Sequence, residues 1–217
     1  MPKDVDHDAR RREIAQSVWR VVANEGLERA TIRRIATETG WSAGVLAHYF
    51  SDKEDMLGSS LRICYGQIRE RINAKLTGQS GMSALRELIL DNLPLDAQRQ
   101  LETKFLMNYW SHEIREPQFA DHQIVGGPPM VEAISGLVRE GQRAGEITSE
   151  RDADDIAEVF LGLIDGFSLH SLLNPERLTP ERQVALIDEE LSRIRHHPRA
   201  AGSPRGTTTS IARRSHA

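Results

Sequence analysis

The chain is nearly without cysteine: Cys64 is the single one in 217 residues. That excludes an internal disulfide framework and fits a reducing compartment. No apolar run approaches the ~18 residues that suggest a membrane span. No apolar stretch follows the basic cluster Arg10-Arg11-Arg12, so no signal peptide is expected either. The expectation is a cytoplasmic protein without a membrane partner. Catalytic signatures are also missing. There is no G-x-S-x-G, no phosphate loop and no carboxylate pair framed by strands. The 8 histidines are scattered, and only His196-His197 are adjacent; none has the spacing of a metal-ligand set. Neither an enzyme, a cofactor nor a metal site is expected. Cys64 falls on an apolar helical stripe and reads as packing rather than as a nucleophile.

The net charge of −4 is unevenly spread. Residues 1–53 carry nine Lys/Arg against eight Asp/Glu, residues 54–195 fifteen against twenty-four, and residues 196–217 four arginines and no acid. An acidic body beside a near-neutral N-terminal part excludes nucleic acid wrapped around the whole protein. It permits a compact DNA contact at one end.

Strand-like alternation is scarce, and helical spacing runs through the chain. Ile14, Val18, Val21 and Val22 predict a first helix over about 8–25, stopped by Gly26. Thr31 caps a helix over 32–39, with Ile32, Ile35 and Ala36 inward and Gly40 as its left-handed end. Ser42 caps a short helix over 43–49, with Val45 and Leu46 facing in. Ser51-Asp52-Lys53-Glu54 has the form of a capping box and opens a helix over about 52–76. Its stripe is Leu57, Leu61, Cys64, Ile68 and Ile72. Further helices are predicted over 82–93, 96–115, 130–144, 152–173 and from Pro180 to about Ile194. Pro129 is the expected first helical residue after the breaker Gly126-Gly127-Pro128-Pro129. The composition of 196–217 predicts a disordered basic tail, solubilising or adding non-specific DNA affinity.

The fold class is therefore all-α. A three-helix domain over 1–51 precedes a larger helical domain over 52–195. Two short helices about a glycine turn form a helix-turn-helix, whose second helix enters the major groove. Its open positions are Ser42, Ala43, Gly44, Ala47, His48 and Tyr49, and 42–49 contain no acid. Ala43 and Ala47 offer methyls to thymine, and Gly44 admits close backbone approach. His48 and Tyr49 are placed to donate to phosphates. Thr31, Arg33 and Lys53 flank the site, Thr31 and Lys53 at helix N-termini that favour an anion. Arg34 reads as a helix-surface charge.

The string from Thr31-Ile32-Arg33-Arg34-Ile35-Ala36 through Gly40-Trp41-Ser42-Ala43-Gly44-Val45-Leu46 to His48-Tyr49-Phe50-Ser51-Asp52-Lys53-Glu54 resembles the DNA-binding segment of the tetracycline-repressor (TetR) family. The resemblance spans about 9–57. Leu163-Ile164-Asp165-Gly166 and Asn174-Pro175-Glu176-Arg177 through Arg182 are similar to the BetI-type C-terminal domain, named for choline-responsive repressors. The resemblance implies an all-helical homodimer that binds palindromic operator DNA and is released by a small molecule. It assigns the dimer interface to helices 130–144 and 152–173. Three features depart from the family pattern: Ala47 in place of a tyrosine, Trp41 in the turn, and the Gly126–Pro129 break.

For the effector, Phe105, Tyr109, Trp110 and Phe167 are either plain core or the apolar lining of a pocket. Asn92, Asn108, His112 and His170 are the polar candidates beside them. An aromatic cage for a quaternary ammonium is chemically possible, but BetI-type domains serve many unrelated ligands. Two other functions stay open at this point: a DNA-binding activator, and a helical small-molecule-binding protein without DNA binding.

Overall fold

A computed structural model of the chain describes residues 4–115 and 127–196. The described residues form nine α-helices and one 3-10 turn: α1 (Asp4–Glu25), the turn Leu27–Arg29, α2 (Ile32–Thr39), α3 (Ala43–Leu46), α4 (Lys53–Leu76), α5 (Gly81–Asp91), α6 (Ala97–Arg115), α7 (Gly127–Arg143), α8 (Ala153–Leu173) and α9 (Pro180–Ile194). Among them the only β-type pairing is the antiparallel bridge of Ile147 with Arg195, which ties the α7–α8 connection to the end of α9.

Local chemistry sets the boundaries as the sequence suggests. The Thr31 hydroxyl accepts from the Arg34 amide, and Gly40 adopts the left-handed conformation at φ 74°. Thr179 caps α9 with Pro180 in the first turn. Three expectations need correction. First, α3 ends at Leu46 rather than 49. Beyond it the bonds His48 N to Val45 O and Tyr49 N to Leu46 O span three residues. The chain tightens there because Leu46 and Phe50 are both anchored in the core and the backbone must turn at once into α4. Second, Val45 is 40% exposed: so short a helix presents one inward position, and Leu46 occupies it. Third, the cap of α4 is Asp52, accepting from the Asp55 amide at 2.7 Å. Asp55 returns the bond by accepting from the Ser51 amide, so the box lies one residue later than Ser51–Glu54.

The break before α7 is milder than expected. Helix α7 begins at Gly127, so Pro128 and Pro129 occupy its first turn, where no amide hydrogen is needed. Gly126 and the basic tail beyond His196 lie outside the described residues. Helix α8 is, by length and composition, long and apolar enough to cross a membrane; the sequence reading expected no such stretch. Over 156–173 its only Asp, Glu, Lys or Arg residues are Glu158 and Asp165. One of its faces, with Ile156, Ala157, Phe160 and Ile164, is buried in the protein core.

Two apolar clusters build the interior. The first joins α1–α4 to α6 through Trp19, Leu46, Phe50, Leu61 and Phe105. The second joins the end of α4 to α5, α7, α8 and α9. Between the clusters, Arg71 of α4 bonds Asp91 of α5 and both carboxylate oxygens of Glu102 of α6. Lys75 adds a 2.7 Å bond to Asp91. Burial works against the Arg71 charge, but the bonds to Glu102 and Asp91 outweigh it and raise its pKa. Two anions matched by two cations make this buried polar cluster tolerable.

Helix α5 meets α7 at a close approach between Gly81 and Gly141. Ser80 makes no side-chain cap for α5; instead Glu146 and Glu140 accept from the Met82 and Gly81 amides. Gly81 has φ +53°, and a Cβ there would run into the Glu146 carboxylate that does the capping. Gly81→Ala is therefore expected to lower unfolding free energy by about 1–3 kcal/mol through strain and overpacking, as read by urea denaturation. A variant as stable as the wild type would contradict this packing.

Candidate nucleic-acid interface

Helices α2 and α3 stand on α1, and the first apolar cluster fixes their attitude. Ser42 caps α3 by accepting from the Val45 amide at 3.2 Å. Ser42, Ala43, Gly44, Val45, Ala47 and His48 are all exposed, and Tyr49 is half-buried. A Cβ on Gly44 would meet only Ser42 Oγ at 3.8 Å. Internal packing therefore does not demand glycine there. The surface is free of acid, small in relief and backed by a rigid core. That is what a groove-reading helix needs.

The flanks divide into committed and uncommitted charges. Arg34 is committed: it bonds Glu25 at 2.6 Å and Glu38 at 3.0 Å, and its bond to Glu25 holds that carboxyl below its usual range. Arg33, one residue before, is exposed and forms no ion pair among the described residues. Thr31 is exposed at the α2 N-terminus. Lys53 Nζ donates to the Glu28 carbonyl at 3.2 Å, which leaves ammonium hydrogens for another acceptor. The α4 N-terminus itself is already capped by Asp52, so what Lys53 offers there is its cation rather than open amides.

Sequence reasoning missed what α1 contributes. Arg11 donates to the Tyr49 carbonyl at 3.0 Å and lies over the Phe50 ring. Arg10 lies over the Trp41 ring at 5.2 Å, and the His7 ring sits 4.5 Å from that of Tyr49. The basic cluster Arg10–Arg12 was the available signal, but its partners Trp41, Tyr49 and Phe50 are far along the chain, 38 residues in the case of Arg11 and Tyr49. Val45 was missed because periodicity alone pointed it inward.

The DNA-facing unit is also tied to the larger body. Trp19 Nε1 donates to the Ser60 carbonyl at 3.1 Å, and its ring lies 6.0 Å from that of Phe105 on α6. Arg115, at the end of α6, bonds Glu28 at 3.0 Å.

The candidate ligand residues do not converge. Phe105 is fully buried in the first cluster, with Tyr109 and Trp110 packed at its edge. Trp110 Nε1 donates to Tyr65 Oη at 3.1 Å. Phe167 packs against the second cluster. Asn92 is half-buried and donates to the Leu88 carbonyl at the end of α5. Asn108 bonds the Lys104 carbonyl, His112 is half-buried, and His170 is exposed on α8. Burial pushes the Cys64 thiol pKa up, which leaves it protonated and unreactive. Among the described residues no three His, Cys, Asp or Glu side chains gather as metal ligands.

Fold and surface together define a helix-turn-helix DNA-binding regulator. The pattern for bacterial regulatory proteins of the tetR family matches residues 17–59. That for the C-terminal domain of BetI-type transcriptional repressors matches residues 82–196. The chain belongs to the TetR family of transcriptional regulators, with a BetI-type C-terminal domain. It is 27% identical over 197 residues to the HTH-type transcriptional regulator PksA of Bacillus subtilis strain 168, covering 89% of this chain and 94% of that one. It is 27% identical over 189 residues to the regulator BetI of Escherichia coli K12, covering 86% and 94%. In fold it is similar to a putative transcriptional regulator of Saccharomonospora viridis solved in complex with choline. The TM-score is 0.79 at 23% identity, covering 88% of this chain and all of that one.

The turn into α4 has a measurable electrostatic signature. The Asp55 carboxyl lies below its usual range, chiefly because the Ser51 amide donates to it; burial opposes this, and the Ser59 and Ser51 hydroxyls and the Arg11 charge add to the lowering. A depressed carboxyl pKa contributes stability above the unfolded value and loses it as pH falls through the folded one. Asp55→Asn is expected to lose about 1 kcal/mol near neutral pH, the size of a helix-cap effect, and to show a smaller stability loss on acidification. An unchanged acid limb in thermal melts would contradict the assignment.

Proposed function

We propose that the chain is a homodimeric repressor that holds a palindromic operator through α3 and is released by a small-molecule effector. The observation that carries the DNA reading is the acid-free, exposed surface of 42–49 beside an uncommitted Arg33. Ala43, Val45 and Ala47 present apolar groups to thymine methyls, and Ser42 and the Gly44 backbone approach base edges. Thr31, Arg33, His48, Tyr49 and Lys53 grip the phosphates that set the register. Arg34 stays with Glu25 and Glu38. A DNA partner implies a cytoplasmic protein, and residues 1–51 act as the reading head of the larger body, 52–195.

Helix α8 supports the dimer reading. Its outer stripe carries Val159, Leu169 and Leu173, which are 42%, 45% and 66% exposed, with Gly162 and Gly166 between them. In a two-fold pairing such a stripe meets its own copy, and the glycines permit close approach. Of the helices 130–144 and 152–173 assigned by resemblance, α8 is the better supported. Helix α7 packs against both α5 and α8 and exposes no large apolar side chain among its described residues. For the effector, the half-buried edge of Tyr65, Tyr109 and Trp110 on α4 and α6 is the favoured aromatic lining. The other sequence candidates do not join that lining: Phe105 is fully buried in the first cluster, Phe167 packs on the second, Asn92 is half-buried at the end of α5 and His170 is exposed on α8. A choline-like ligand is open to this chain by its likeness to the Saccharomonospora protein, but a complete aromatic cage for it is not assembled among the described residues.

Purified protein is expected to shift its own upstream DNA at moderate salt, against excess competitor. Arg33→Ala should weaken binding and flatten its salt dependence by about one phosphate contact, and Tyr49→Phe with Lys53→Ala should weaken it further. Arg34→Ala should cost stability rather than DNA affinity. Undiminished affinity in both phosphate-contact variants would sink the assignment. Sedimentation should find a dimer that Leu169→Asp converts to a folded monomer; a dimer unaffected by that change would place the interface elsewhere.

A further inference from the structure

A cleft of about 220 Å³ lies at the end of the molecule formed by the α5–α6 connection and the start of α9. Pro94, Gln100 and Lys104 form one side; Ser171 and Leu172 of α8, with Gln183 of α9, form another. Prolines and a leucine of the α8–α9 connection complete an apolar wall. No residue named for the effector in the preceding reading lines it.

Gln183 is the unusual group here. It is 1% exposed, and its Nε2 donates to the Leu178 carbonyl at 3.1 Å. That bond fixes which way the amide faces, because the oxygen could not take the nitrogen's place against a carbonyl. The Oε1 atom is left buried with no hydrogen-bond partner. Native proteins rarely leave a buried acceptor unsatisfied, and Gln183 is one of the residues that line the cleft, so a donor entering from the cleft is the missing partner. The Ser171 hydroxyl spends its hydrogen on the Ser168 carbonyl, so it too faces the cleft as an acceptor. Among the described residues of the lining Lys104 alone is charged; it is exposed and makes no ion pair among the described residues.

The geometry points to a binding site for a small apolar-bodied carboxylate that carries a hydroxyl or N–H donor. The donor satisfies Gln183 Oε1 in the interior, the body lies against the proline and leucine wall, and the carboxylate meets the Lys104 ammonium. The site is distinct from the aromatic edge of α4 and α6, and it stands whether or not the ligand controls DNA release.

Three matched probes test it by calorimetric titration of the full chain: 4-hydroxyphenylacetate, phenylacetate and 4-hydroxyphenethylamine. The hydroxylated acid should bind at least about tenfold more tightly than phenylacetate, the usual effect of leaving a buried acceptor unmade. It should also bind more tightly than the amine. In Gln183→Met the advantage of the hydroxyl should fall to near unity, and in Lys104→Gln the advantage of acid over amine should vanish. Lys104 is exposed, so that second variant keeps the test decisive should Gln183→Met fold poorly. No saturable binding of the hydroxylated acid at millimolar concentration would overturn the proposal. So would a preference unchanged in either variant.

Discussion

The packing of Trp19 against Phe105 is the constraint on which the rest depends. Trp19 belongs to α1, under the helix-turn-helix; Phe105 belongs to α6, in the larger body. Both are fully buried in one apolar cluster with Leu46 and Phe50. A core shared in this way couples α3 to α6 indirectly: α6 packs on α1, α1 on α2, and α2 on α3. Side chains in such a core interdigitate densely and transmit displacement rather than absorbing it. The Arg115–Glu28 pair carries the same link at the surface, and Lys53 holds the other side of Glu28 through its carbonyl.

This arrangement supplies a physical route for regulation. An effector alters DNA affinity only through a difference in its affinity for two arrangements of the protein. In a dimer joined along α8, a small rotation of α6 relative to α8 would move the two copies of α3 together or apart. DNA half-sites lie about 34 Å or one helical turn apart in helix-turn-helix dimers, so spacing is the quantity such a rotation controls. The buried Arg71–Asp91–Glu102 cluster binds α4, α5 and α6 into one block, which favours movement of the block over local yielding.

Much of this was legible in the sequence, for identifiable reasons. Thr31, Gly40 and Ser42 act locally, within four residues of themselves, so their roles as cap, left-handed turn and cap could be read directly. The stripe of α4 was legible because a long helix repeats its inward face, and Leu57, Leu61, Cys64 and Ile72 are all buried. Val45 was misplaced because a helix of one turn is too short for periodicity to orient it. The Asp52–Asp55 cap was read one residue early because Ser51 and Asp52 are both good caps, and only the fold chooses between them. Only part of what distinguishes Arg33 from Arg34 is local. Their difference arises from Glu25, nine residues away across a turn, and from Glu38, one turn along α2. The ligand residues were the least legible, since aromatic side chains in a helical core look alike in sequence whether or not a cavity adjoins them.

Hydroxyl-radical footprinting of the full chain on its own upstream DNA tests the central claim most directly. The account predicts two symmetric protected patches on one face of the duplex, separated by about one helical turn or somewhat more, both lost when Arg33 and Lys53 are replaced by alanine. A single patch, protection without two-fold symmetry, or a footprint untouched by those replacements would contradict it.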